Sequence, residues 1–249
     1  MKIWRRVLIG IAVLVLAASA AFVVWGLTPA RPMPEALAAI ESGELVTVSL
    51  DRWMAFEPTD DAHQTGLIIY PGGRVDPRAY APAARAIAER GYRVVIVPMP
   101  LNLAVFASGR AAEVMHAYPA TTTWAVGGHS LGGAMAALFA DENPQRVKGL
   151  ALWASYPAES NDLSQSGLRV VSVYGTRDGL ATREKIDASR ALLPASTEWV
   201  EIDGGNHAQF GWYGAQSGDL PATITRPAQQ GQIVAATLRL LEAIERQSP

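Results

Sequence analysis

The sequence contains no cysteine. That absence excludes disulfides, a thiol nucleophile and a cysteine-borne lipid anchor, and it leaves the chain free to fold in an oxidising compartment. An excess of positive charge is missing as well. The 21 Lys and Arg face 23 Asp and Glu, for a net charge of −2, so no basic footprint points to nucleic acid. No His, Asp and Glu cluster has metal-ligand spacing, and the Gly-x-x-x-x-Gly-Lys-Ser/Thr loop that cradles nucleotide phosphates is absent. No cofactor or metal is expected. Charged residues make up only 18% and hydrophobic residues 49% of 249 positions, which suits one well-buried domain with an apolar segment added.

That apolar segment comes first. Lys2, Arg5 and Arg6 precede residues 7–27, which carry no charge. As a helix this run is about 30 Å long, the depth of a bilayer's hydrocarbon core. The basic residues would stay cytoplasmic and place the remainder outside. Ala18-Ser19-Ala20 resembles a signal-peptidase site, which makes secretion after cleavage the alternative. Cleavage there would leave the unusually apolar start Ala21-Phe22-Val23-Val24-Trp25, so an uncleaved single-pass anchor is expected. Pro29, Pro32 and Pro34 then imply a stiff, extended linker, and residues 35–41 a short helix before Gly43. The expected organisation is an anchor or signal over 1–27, linker and short helix over 28–44, and a catalytic-sized domain over 45–249.

Residues 45–56 alternate in part, which predicts one or two antiparallel edge strands. A polar turn over 60–66 follows. Apolar strands at 67–70, 93–97, 123–126, 149–154, 168–174 and 198–202 then alternate with helices at 80–90, 103–118, 131–142, 182–193 and 229–246. Unbroken apolar strands alternating with helices predict an α/β domain, a mostly parallel sheet with helices on both faces.

Within that pattern, Gly128-x-Ser130-x-Gly132 falls where the strand ending at 126 turns into a helix of strong formers starting at 131. The bare pattern is weak: 14 serines and 22 glycines give roughly 0.1 chance matches in a chain this long. Its context is what counts. A sharp strand-to-helix turn strains the serine and lifts its hydroxyl above the sheet, over a helix N-terminus that favours negative charge.

A serine needs a base to take its proton. His63 lies in a polar turn, His116 falls inside an expected helix, and His129 is too near Ser130 in sequence to swing onto it. His207 follows the last strand in Asp203-Gly204-Gly205-Asn206-His207, at the sheet's C-terminal edge where ligands collect in open α/β sheets. Asp178 follows the strand ending at Tyr174 and reaches the same edge, so it is the expected acid partner, with Asp203 as runner-up. Phe210, Trp212 and Tyr213 read first as packing, with an acyl-pocket role as the alternative.

The order Ser130, Asp178, His207 is the order found in α/β-hydrolases. Gly-His-Ser-Leu-Gly-Gly, Gly-Thr-Arg-Asp-Gly and Gly-Gly-Asn-His resemble the serine, acid and histidine motifs of that superfamily, over about residues 45–241. Length and layout are similar to the small dienelactone-hydrolase-like and carboxylesterase-like members. Lactone-cleaving members typically carry cysteine where this chain has Ser130. The resemblance implies an α/β-hydrolase fold and cleavage of esters, lactones or related acyl compounds through an acyl-enzyme on Ser130. It also implies an oxyanion hole formed by the backbone N–H of Leu131 and one N–H from the loop after Tyr70, where Gly73 is the choice and Arg74 the next. Relatives often have His-Gly in that loop. Pro71-Gly72 stands here, so the loop's supporting bonds must differ. Only residues 155–167 are available for a cap, which predicts a minimal one. An acyltransferase with the same triad, or a silent hydrolase fold used for binding at the cell envelope, are the alternatives.

Overall fold

The strand that leads into Ser130 is buried along its whole length, and the sheet is built outward from it. The computed structural model describes residues 2–60 and 62–247. Met1, Ser248 and Pro249 at the expected domain ends, and Asp61 in the expected 60–66 turn, lie outside the described residues. Among the described residues the strands are β1 (Val46–Ser49), β2 (Met54–Pro58), β3 (Thr65–Tyr70), β4 (Arg93–Ile96), β5 (Thr123–His129), β6 (Val147–Trp153), β7 (Arg169–Gly175) and β8 (Glu198–Ile202). They form one sheet in the order β1-β2-β4-β3-β5-β6-β7-β8. β1 and β2 pair antiparallel at one edge, as their alternation predicted, and every pairing from β4 to β8 is parallel.

Period-two alternation splits the buried side chains between two faces. Leu67 and Ile69 of β3 and Val94 and Ile96 of β4 join one core, with Ile87 and Ile233. Ile68, Val95 and Val126 point into the other, with Val114 and Phe139. The first core is covered by helices α3 (Ala81–Ala88) and α7 (Arg226–Glu245), the second by α4 (Ala111–Ala117) and α5 (Leu131–Glu142). Burial of each such Val, Leu or Ile contributes about 1.5–3 kcal/mol, which is why parallel strands with two covered faces read as unbroken apolar runs.

The helix expected over 103–118 is shorter than its composition implies. Only α4 is α-helical, and two single 3₁₀ turns, Ala104–Phe106 and Ser108–Arg110, precede it. The cause is tertiary. The Tyr70 hydroxyl inserts between these turns and α4: it donates to the Ser108 carbonyl at 2.5 Å and accepts from the Ala111 N–H at 2.8 Å. Ala107 is non-helical there (φ −158°, ψ 45°). Between β6 and β7 the chain makes only turns, so no helical cap is inserted.

At the N-terminus, α1 (Lys2–Gly26) is long and apolar enough to cross a membrane, and none of its apolar window is buried in the domain. The segment after it is strapped to the domain. The Ala30 N–H donates to the Arg74 carbonyl at 2.7 Å and the Met33 N–H to the Trp212 carbonyl at 2.8 Å, ahead of the short helix α2 (Pro34–Ala38).

Candidate active site

Ser130 joins β5 to α5 with φ 52° and ψ −123°, a left-handed conformation that costs a non-glycine residue about 1–3 kcal/mol. The surroundings hold it there. Its N–H donates to the Trp153 carbonyl at 3.0 Å, and its own carbonyl accepts from the Ser155 hydroxyl at 2.6 Å. Ala154 at the end of the neighbouring strand is also left-handed (φ 44°), so two adjacent strands are bent at this point. Both flanking glycines are demanded by backbone approach. A Cβ on Gly128 would lie 2.4 Å from the Tyr70 carbonyl oxygen, and one on Gly132 only 2.1 Å from it.

His207 and Asp178 meet at this edge. The His207 Nδ1 and Asp178 Oδ2 are 2.8 Å apart, and both side chains are buried. The other carboxylate oxygen, Oδ1, accepts the N–H groups of Leu180 (2.8 Å) and Ala181 (2.7 Å). An ionised carboxylate in that setting is a pure acceptor, so the Nδ1 carries a proton and donates it. The His207 Nε2 is buried and has no protein partner among the described residues. His207 and Ser130 line one cavity of about 300 Å3, together with Leu131, Ala134, Tyr156 and Leu180. Asp203 takes no part: it is exposed and accepts a hydrogen bond from the Thr176 hydroxyl. Phe210 and Tyr213 are buried and pack around His129, away from the cavity wall, which bears out packing for these two.

The remaining histidines are separate from the cavity. His63 pairs with Glu245 and stacks on Tyr92, and His116 is exposed on α4. His129 is buried, with its ring 4.4 Å from that of His207.

The loop after β3 shows how Pro71 is accommodated. The Gly72 N–H donates to the Tyr80 hydroxyl at 2.9 Å, and that hydroxyl is 2.8 Å from the His129 Nδ1. Burial pushes the Tyr80 phenol above its ordinary value. The Arg74 N–H is committed to the Asn102 carbonyl at 2.8 Å. Among the described residues this leaves the Gly73 N–H as the loop donor without a protein acceptor. It sits beside the start of α5: a Cβ on Gly73 would be 3.1 Å from the Leu131 side chain. Leu131 is the first residue of α5, so its N–H also lacks an intrahelical partner.

Three supporting residues were not apparent from the sequence. Asp219 accepts from the N–H groups of Gly179 (3.2 Å), His207 (3.2 Å) and Ala208 (2.9 Å), tying the acid loop to the histidine loop. Gln229 of α7 is fully buried and clamps Asn206 with two hydrogen bonds of 3.0 and 2.7 Å. Ser155 is the third. Their partners lie 11 to 40 residues away in sequence, and no local pattern marks them.

The sequence model of the Alpha/beta hydrolase family matches residues 66–231, more than half of the chain. The chain belongs to that family. Among curated proteins none matches the sequence. Solved structures show the fold again at low identity. A carboxyl esterase 2 from Tuber melanosporum has a TM-score of 0.61 at 13% identity, over 82% of this chain and 89% of that one. An esterase from Thermogutta terrifontis has 0.57 at 15%, over 80% and 92%. A Klebsiella pneumoniae protein assigned as a dienelactone hydrolase has 0.59 at 13%, over 78% and 98%.

The buried His129 gives a stability prediction. Burial, and then the nearby His207, hold it well below its ordinary value of 6.5. The unfolded chain binds a proton there below pH 6.5 and the folded chain does not. This contribution to stability is complete above 6.5 and is lost as the pH falls toward the depressed folded value. In His129→Asn the slope of unfolding free energy against pH below 6.5 falls by up to about 1.4 kcal/mol per pH unit. Denaturant unfolding at pH 7.5, 6.0 and 5.0 measures it, and parallel curves for the two proteins would sink the idea.

Proposed function

We propose that this α/β-hydrolase is a serine esterase held on the outer face of the cytoplasmic membrane by α1. The observation that carries the reading is the arrangement of His207. Its Nδ1 is bound to Asp178, its Nε2 has no protein partner among the described residues, and His207 and Ser130 line one cavity. Ser130 Oγ attacks the ester carbonyl while His207 Nε2 takes the hydroxyl proton. Negative charge develops on the carbonyl oxygen and is met by the N–H groups of Leu131 and Gly73, each without a protein acceptor among the described residues. The tetrahedral intermediate collapses, the C–O bond to the alcohol breaks, and His207 returns the proton to the leaving alkoxide. Water attacks the acyl-enzyme while the same Nε2 takes its proton, and that proton passes to the departing Ser130 Oγ as the carboxylic acid is released. Asp178 keeps the ring in the tautomer that can accept.

The cavity of about 300 Å3 is at the small end of ligand pockets and has apolar walls, which supports a small acyl group. Lys2, Arg5 and Arg6 before the apolar helix support the outward orientation. Residues 1–27 then serve as anchor, 28–44 as connection and 45–249 as the hydrolase domain.

A fluorophosphonate tests the mechanism directly. It forms one covalent adduct on the full chain, which peptide mass spectrometry locates on Ser130. An adduct on another residue, or none, would refute the assignment.

A further inference from the structure

The end of α1 does not hang free below the domain. The Asn102 side chain donates to the Gly26 carbonyl at 2.9 Å, and Arg74 donates to the carbonyls of Trp25 (2.9 Å) and Thr28 (2.6 Å). The Arg74 guanidinium also lies over the Trp25 ring, 4.3 Å from its centroid. Gly26 is packed so closely that a Cβ would meet the Leu101 Cβ at 2.8 Å. Arg74 directly follows Gly73, so the root of the apolar helix and the proposed oxyanion loop share one stretch of backbone. A cavity of about 510 Å3 lies at this root, with Trp25, Thr28, Gly73, Arg74 and Tyr213 in its walls.

The neighbouring loop adds an apolar surface. Leu101 and Asn102 are both left-handed (φ 52° and 54°), which turns the chain toward α1. Beyond them Val105 and Phe106 are 48% and 53% exposed. The Phe106 ring packs edge-on against Phe22 of α1, with centroids 6.3 Å apart. Phe22 is four residues before Gly26, about 6 Å down the helix axis, so Phe106 sits alongside the apolar helix and below its end. Between this loop and the site stands Leu103, whose side chain borders Gly73 together with Leu131.

An exposed Val-Phe pair is costly in water, and a helix that crosses a bilayer carries its neighbours to the same depth. We infer that the 103–106 loop enters the membrane surface beside α1, and that the Ser130 cavity draws its substrate, a carboxylic ester dissolved in the bilayer, across this loop. The inference rests on α1 spanning the membrane and on the Ser130 mechanism, and its test separates all three.

The chain lacks cysteine, so a single introduced thiol can carry an environment-sensitive fluorophore without background. Full-length Val15→Cys, Phe106→Cys and Lys148→Cys are placed in phosphatidylcholine vesicles that contain nitroxide-labelled lipid. Position 15 lies within α1, and position 148 is the second residue of β6, at the end of that strand away from Ser130. Positions 15 and 106 are quenched and 148 is not. Quenching at 15 without 106 overturns the membrane contact and leaves a second copy of the chain as the cover. No quenching at 15 removes the spanning helix and the inference with it. The second arm compares esters. Val105→Ser/Phe106→Ser hydrolyses water-soluble p-nitrophenyl acetate within about twofold of wild type, but a long-chain ester in the vesicles at least tenfold more slowly. Equal rates on the vesicle ester, or an equal loss on both, overturn the substrate class. Failure of the wild type on both esters overturns the Ser130 mechanism, and the quenching result still stands.

Discussion

Asp178→Asn lowers kcat on a soluble ester by about 10⁴-fold while the domain stays folded, because it reverses the tautomer of His207. The geometry forces this outcome. Two N–H groups, from Leu180 and Ala181, point at one oxygen of residue 178. An asparagine must keep its carbonyl oxygen against them, since turning the amide would aim donors at donors in a buried site. Its NH₂ group therefore faces the His207 Nδ1, which must accept. The ring proton moves to Nε2, and Nε2 can no longer take a proton from Ser130. Size and burial are nearly unchanged, so circular dichroism and melting temperature stay close to wild type. The rate of fluorophosphonate labelling falls with kcat, because both need the same base. A kcat within tenfold of wild type would show that Asp178 does not orient His207.

That arrangement was partly legible in the sequence, for a physical reason. Ser130, Asp178 and His207 each follow the end of a parallel strand, and parallel strands bring their C-terminal ends to one edge. Strands could be read from unbroken apolar runs, so the edge could be read as well. The groups that hold these residues were hidden. Asp219 and Gln229 act through loops that only the fold brings together, and Tyr80 reaches Gly72 and His129 because α3 follows a 3₁₀ turn, Pro77–Tyr80. The failed helix over 103–110 has the same origin. Its residues form helices readily, but the Tyr70 hydroxyl claims the Ser108 carbonyl and the Ala111 N–H. Local propensity loses to a tertiary hydrogen bond. Strapping of residues 30–33 was equally out of reach, since three prolines imply stiffness and say nothing about what they lie against.

Gly132→Ala should destabilise the domain by about 4 kcal/mol or more, a drop of about 10 °C in melting temperature for a domain of this size. The pattern Gly-x-Ser-x-Gly is common by chance, and this substitution asks whether its last glycine is structural here. The added Cβ would stand 2.1 Å from the Tyr70 carbonyl oxygen and 2.4 Å from that of Pro71. Both obstacles are backbone, so no side chain can swing aside. Either α5 retreats from the end of β3, or the 70–73 loop retreats from α5. Each movement separates the Leu131 N–H from the Gly73 N–H, so the ester activity that remains at low temperature falls too, by about 10²-fold if one oxyanion donor is lost. Gly109→Ala is the matched control, because a Cβ there meets nothing within 4 Å and its φ is not left-handed. Thermal unfolding of both variants in detergent decides the matter. A Gly132→Ala protein that melts within about 2 °C of wild type would mean that β3 and α5 are not packed backbone to backbone, and the proposed oxyanion hole between them would fall as well.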